Sequence, residues 1–371
     1  MKRIFTLLIA LAIILTACAP AATPVPAATQ VPTVATQAPA TGGAYTPPEG
    51  AKAPVALDPG SQSTKPLAYK PGAKVRIAYM PPATEFNYYM AIGEGIKAMA
   101  AESGAEVFML APEKGSDIAG QMKMIQDVIV QGVDAIILST HDEKAAAPLV
   151  QQAIDKGIAV VLVNSDIKSF PTGVNGVVGY GQRNGTKALG EYIAKIVGGK
   201  ANVGVLEGQP GWHSTERIGG FLDAFKAYPD MKIIASLPTA WNVETGNTVM
   251  MDMMQAHPEI NLVVAANDYE AIGAAQALKS LGRTDVLLYG NDGDTTGLEQ
   301  IYAGDWNGTV NTTPFVMGKI ALQVTMDVLN GKFPGGWVET PTVNTTKDNA
   351  LSFLCHPENL YPKPSKEYKC P

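Results

Sequence analysis

Cysteine is scarce in this chain, with three residues in 371, at Cys18, Cys355 and Cys370. None stands in C-x-x-C spacing, and only His356 lies near the last two, so a zinc module is not expected. Histidine is scarce too, at His141, His213, His257 and His356, and no H-E-x-x-H occurs. A G-x-S-x-G elbow and a Walker A loop are also missing. Gly179-Tyr180-Gly181 does not continue as G-x-G-x-x-G. No two carboxylates stand out as an acid–base pair. An enzyme is therefore not expected, nor a cofactor, nor a metal. The net charge is −6 and Lys and Arg form no cluster, which excludes the electrostatic footprint of a nucleic-acid binder.

Long apolar runs are absent except at the start. Ile4 to Leu15 is apolar and follows Lys2 and Arg3. A span needs ~20 such residues, so this run fits a secretory signal. Leu15-Thr16-Ala17-Cys18 resembles a bacterial lipobox, in which Cys18 is lipidated and becomes the mature N-terminus. The expectation is a signal peptide over 1–17 and a protein tethered outside the cytoplasmic membrane, in the periplasm or at the cell surface. A plain signal peptide with an incidental cysteine is the alternative. Residues 18–73 hold eleven prolines among Ala, Thr, Gln and Gly and show no apolar periodicity. Such a stretch reads as an extended, disordered tether. In an exported chain Cys355 and Cys370 are expected to pair, against the alternative of free thiols.

The remaining body, about 300 residues from Lys74, is long enough for two domains. Short β-branched or Leu-rich runs alternate with amphipathic stretches. Val75–Met80, Glu106–Leu110, Ala135–Ser139 and Ala159–Asn164 form one series. Val203–Glu207, Ile233–Leu237, Leu262–Asn267 and Val286–Asn291 form a second. The alternation predicts α/β lobes with parallel sheets and right-handed crossovers. Thr309–Thr312, a helix over Phe315–Asn330, and Val338–Val343 follow, and these late elements are candidates to return to the first domain.

In parallel sheets, ligands bind beyond the carboxyl ends of the strands. Those ends carry Asn87, Tyr88, Tyr89, Asn164, Asp166, Arg217, Trp241, Asn267 and Asp292, with His141, Trp212 and His213 as further candidates. Amides, carboxylates and an arginine fork suit adjacent hydroxyls, and aromatic rings suit C–H faces. The set points to a neutral polyhydroxyl ligand. Asp142 and Asp268 also fit as helix caps, and Tyr89 as core.

Six stretches stand in a fixed order: Glu94-Gly95-Ile96-Lys97, Gly190-Glu191-Tyr192-Ile193-Ala194-Lys195, Arg217-Ile218-Gly219-Gly220-Phe221, Ala256-His257-Pro258-Glu259, Ala266-Asn267-Asp268 and Tyr289-Gly290-Asn291-Asp292-Gly293. In their order and spacing the chain from about Lys74 to Val343 resembles the periplasmic ribose-binding group of ABC-transporter solute receptors. The resemblance implies a type I periplasmic-binding-protein fold: two Rossmann-like lobes joined by a three-crossing hinge near Gly179, Thr312 and Thr340. It implies lobes over 74–178 with 313–340, and 179–312 with 341–371. It places Tyr88, Tyr89 and Trp241 around the ligand, with Arg217, Asn267 and Asp292 as its polar partners. Departures at Asn164-Ser165-Asp166, at Thr312 in place of a hinge glutamine, and at Phe86-Asn87-Tyr88-Tyr89 point away from ribose itself. The implied partners are a sugar or polyol, ABC permease subunits and, through the lipid, the membrane; a monomer is expected. A receptor for a signal such as autoinducer-2, or for a nucleoside, feeding a sensor kinase or chemoreceptor, is the alternative.

Overall fold

In the computed structural model the described residues are 45–371. The expected signal peptide, Cys18 and the expected tether up to residue 44 lie outside them. No described helix is long and apolar enough to cross a membrane.

The first lobe opens with β1 (Arg76–Met80), α1 (Asn87–Ser103), β2 (Glu106–Met109), α2 (Ile118–Gln131), β3 (Ala135–Leu138), α3 (Glu143–Asp155), β4 (Ala159–Val163) and β5 (Gly176–Gly179). The second contains α4 (Gln182–Ile196), β6 (Lys200–Glu207), α5 (Trp212–Phe225), β7 (Asp230–Pro238), α6 (Val243–Ala256), β8 (Leu262–Ala265), α7 (Asp268–Ser280), β9 (Leu287–Asp292), α8 (Thr295–Ala303) and β10 (Gly308–Asn311). The chain then returns to the first lobe with α9 (Pro314–Leu329) and β11 (Trp337–Glu339), and ends in the second with β12 (Val343–Thr346) and α10 (Lys347–Leu354).

Both sheets have six strands in the same spatial order. One runs β2-β1-β3-β4-β5-β11 and the other β7-β6-β8-β9-β10-β12. All pairings are parallel except β10 with β12. The central strands are buried along their whole length, as the apolar runs require, because helices cover both faces. The order reverses between β1 and β3, and between β6 and β8, which leaves a crevice at the carboxyl ends of each sheet. The two crevices face each other. Residues 180–181, 312–313 and 340–342 are the three connections between the lobes. The first needs glycine at 179, because a Cβ there would meet the Ser165 backbone at 2.5 Å.

Two sequence readings are corrected by the fold. Val338–Val343 is not one strand. Pro341 interrupts it, and β11 and β12 on either side belong to different sheets. The disordered tether does not extend to residue 73. Residues 45–73 lie along the first lobe, and Val55 pairs antiparallel with Trp337, exchanging backbone bonds of 2.8 and 2.7 Å. Gln62 donates to the carbonyls of Val174 and Asn175 and accepts from the Gly336 amide. A proline-rich segment cannot form its own core, but it can cover a sheet edge, and β11 is an edge strand. Composition reports the first property and is silent on the second. At the other end of the chain, Cys355 and Cys370 are disulfide-bonded, with Cα atoms 5.7 Å apart.

Candidate functional site

The helices that face the crevice start earlier than their apolar periodicity. The sequence pattern begins at Met90, Thr186 and Thr215, whereas α1, α4 and α5 begin at Asn87, Gln182 and Trp212. The first turn of each faces the cleft instead of the core, so it carries polar and aromatic residues that hide the helix signal. Those turns build the site.

On the first lobe, the α1 turn supplies Tyr88 and Tyr89, both buried. Tyr88 donates to Asn164 Oδ1 at 2.9 Å, and Asn164 Nδ2 donates to the Tyr89 hydroxyl at 3.2 Å. One buried amide thus orients two phenols. Its backbone sits in the left-handed region, φ 57°, which asparagine tolerates better than most residues. The Tyr88 hydroxyl is also 2.9 Å from Thr312 Oγ1 at the second crossing.

On the second lobe, Arg217 is 4% exposed and has three protein partners. Its Nη1 donates to Asp292 Oδ1 at 3.0 Å and to the Ala266 carbonyl at 3.1 Å, and its Nε donates to Gln182 Oε1 at 3.1 Å. Trp241, at φ 63°, spreads its indole over Gly208, where any Cβ would clash at 2.1 Å. The Arg217 guanidinium lies 5.5 Å from that ring. Asn267 caps α7 through the Glu270 amide and donates to the Trp241 carbonyl at 3.1 Å. Among the described non-glycine residues with positive φ, Asn164, Trp241 and Asp292 all belong to this cluster, and Thr313 adjoins Thr312. Strained backbone of this kind persists where the surroundings over-determine it.

The lobes are closed on each other. The His141 ring stacks on Trp241 across the cleft at 6.2 Å, and the Tyr269 hydroxyl accepts from the Asn87 amide at 2.9 Å. Between them lies a small cavity lined by Phe86, Tyr88, Tyr89, His141, His213, Arg217, Trp241, Asn267, Tyr269 and Asp292.

Burial, with the Arg217 charge adding to it, pushes His141 down to about 4 and His213 well below its usual value. Both rings are therefore neutral at physiological pH. His141 Nδ1 faces the Gly115 carbonyl at 3.4 Å, so that nitrogen carries the proton and Nε2 is left as an acceptor. Burial raises Asp292 while the adjacent Arg217 opposes it. Burial lowers Arg217, but Tyr180, Asp292 and the cleft tyrosines outweigh it and hold the guanidinium charged. The hydrogen bonds of Arg217 to the described residues use Nε and Nη1 and leave Nη2 open.

The cavity therefore unites eight of the sequence candidates: Tyr88, Tyr89, His141, His213, Arg217, Trp241, Asn267 and Asp292. The other five do not line it. Asn164 and Thr312 stand behind the tyrosines, Asn87 contributes its backbone amide to Tyr269, and Asp166 bonds to Trp212. Sequence reasoning missed Phe86, Tyr269 and Gln182. Phe86 adjoins Asn87, and Tyr269 lies two residues past Asn267. Gln182 opens α4, whose first turn carries no apolar signal. Among the described residues no three His, Cys, Asp or Glu could hold a metal ion.

A family model described as a periplasmic binding protein domain matches residues 77–333. The chain is similar to the D-ribose/D-allose-binding protein of Pseudomonas aeruginosa, 31% identical over 281 residues, covering 72% of this chain and 88% of that one. It is similar to the xylitol-binding protein of Mycolicibacterium smegmatis, 32% identical over 240 residues, covering 63% and 67%. Among solved structures it resembles a periplasmic solute-binding protein of an ABC transporter from Actinobacillus succinogenes with bound D-allose. The TM-score is 0.71 at 28% identity, covering 75% of this chain and all of that one.

Proposed function

We propose a function from one premise: this chain belongs to the periplasmic binding protein family. It is a solute receptor of an ABC importer, working outside the cytoplasm, and not an enzyme. Its ligand is a monosaccharide or a related polyol held between the lobes.

One observation carries the ligand class. The interlobe cavity presents a donor and an acceptor that the protein leaves open, at Arg217 Nη2 and His141 Nε2, beside the Asp292 carboxylate and the rings of Phe86, Tyr88 and Trp241. Hydroxyls that both donate and accept match the first set, and ring C–H groups match the second. Arg217 and Asp292 neutralise each other, which favours an uncharged ligand. Contacts to both lobes at once stabilise the closed state, so binding shifts the population toward closure, and the closed form is the one the permease recognises. Lipidation at Cys18, with the proline-rich stretch as a tether, would keep a monomeric receptor near that permease.

A thermal-shift screen tests the reading with pentoses, hexoses, polyols, autoinducer-2 and nucleosides. A sugar or polyol should raise the midpoint by mass action. A shift with a nucleoside or autoinducer-2 alone, or with nothing, would overturn the ligand class. Mass spectrometry of the mature N-terminus tests Cys18.

A further inference from the structure

Trp212 opens α5, the helix that also carries His213 and Arg217. Its side chain leaves its own lobe. The indole Nε1 donates to Asp166 Oδ1 at 2.8 Å, and Asp166 lies in the loop after β4 of the first lobe. The ring also packs against the first lobe's apolar cluster, which includes Ile167, Phe170 and Trp337. Among the described residues it is the one member of that group from the second lobe. Asp166 is engaged a second time, accepting from the Gln182 amide at 2.8 Å. Gln182 Oε1 in turn holds Arg217 Nε and His213 Nδ1, each at 3.1 Å. Neither Asp166 nor Trp212 touches the cavity, yet both are one step from residues that do.

From this geometry we infer that Trp212 and Asp166 form a closure latch, which sets the open–closed balance and thereby ligand affinity without contacting the ligand. The hinge connections hold Gln182 near Asp166 whichever way the lobes are disposed, because Gln182 follows the first crossing directly. Trp212 lies far along the second lobe's chain. It reaches Asp166 and the apolar cluster only when the lobes meet. The latch therefore strengthens the closed state, and every ligand that needs closure gains the same factor. When the closed state is minor in the free protein, apparent affinity scales with its population. Trp212 and Asp166 are thus positioning residues, and specificity stays with the cavity.

The inference rests on the receptor reading, and the test separates the two. Kd values for a panel of sugars and polyols are compared between wild type, Trp212→Phe, Asp166→Asn and the double variant. Trp212→Phe keeps most of the ring and removes the donor. A hydrogen bond to a carboxylate is worth about ten-fold or more in an equilibrium, so each Kd should rise about ten-fold with the ligand rank order unchanged. The double variant should lose little more than either single one. An unchanged Kd, an altered rank order, or additive losses would each overturn the latch. Spin labels, one on each lobe, read the closed fraction of the ligand-free protein, which should fall in Trp212→Phe while its melting midpoint stays near wild type. That measurement needs no ligand. If no sugar binds wild type, the receptor reading fails while the latch is still decided by the closed fraction.

Discussion

Replacing Arg217 with alanine removes the one cation of the cavity and three protein hydrogen bonds at once. The change leaves the Asp292 carboxylate 3% exposed and without its 3.0 Å partner. Breaking a buried pair from one side costs about 3–5 kcal/mol, because a buried charge stays behind uncompensated. The ligand-free variant should lose stability of that order in urea or thermal unfolding. Affinity should fall further, by about 100-fold or more, since a charge-assisted donor to the ligand goes and Asp292 loses its orientation. The sharper test is a cycle with Asp292→Ala. The double variant removes both charges, so its stability loss should be smaller than the sum of the singles by about 2 kcal/mol or more. Calorimetric titration and denaturant unfolding on the four proteins measure both quantities. Additive losses, or near-native affinity in Arg217→Ala, would refute the assignment of this pair as the polar centre of the site.

Tyr88→Phe deletes a hydroxyl bonded to Asn164 and Thr312, each at 2.9 Å, and should weaken binding about ten-fold in titration with the cavity shape kept. Glu270 is wholly buried, and burial raises its carboxyl from 4.5 to about 7 against hydrogen bonds from Thr239 and the Ala266 amide. The folded protein then holds a proton that the unfolded chain releases, so this group favours folding below about pH 4.5, and that contribution is lost as pH rises to about 7. Glu270→Gln should flatten the fall in stability across that window by up to ~3 kcal/mol, read as melting midpoints against pH. Gln62→Ala removes three bonds that fasten the N-terminal strap and should cost about 1–3 kcal/mol in unfolding experiments while leaving ligand affinity unchanged.

Much of this molecule is legible in one dimension because each reading rests on a local cause. Strands buried on both faces need unbroken apolar runs, so β3, β4 and β8 appear in the sequence nearly where they fold. Their alternation with helices implies parallel sheets, and polar residues at strand ends mark the crevice. Arg217, Asn267 and Asp292 stand out because such groups serve no core.

Only the tertiary structure decided which of those polar residues share one cavity. Tyr88 and Asn164 are 76 residues apart, and Arg217 and Asp292 are 75, so no local pattern encodes their contact. The fold turns Asp166 and Trp212 from candidate ligand contacts into an interlobe pair, because facing crevices bring a loop at the strand ends of one lobe against a helix start of the other. It also lays residues 45–73 along the first lobe, with Val55 on the edge strand β11, a fate set by the open backbone of that strand and not by the segment's own composition. Sequence determines which surfaces each element must bury. Which side chains meet across the space between two lobes is a property of the closed arrangement.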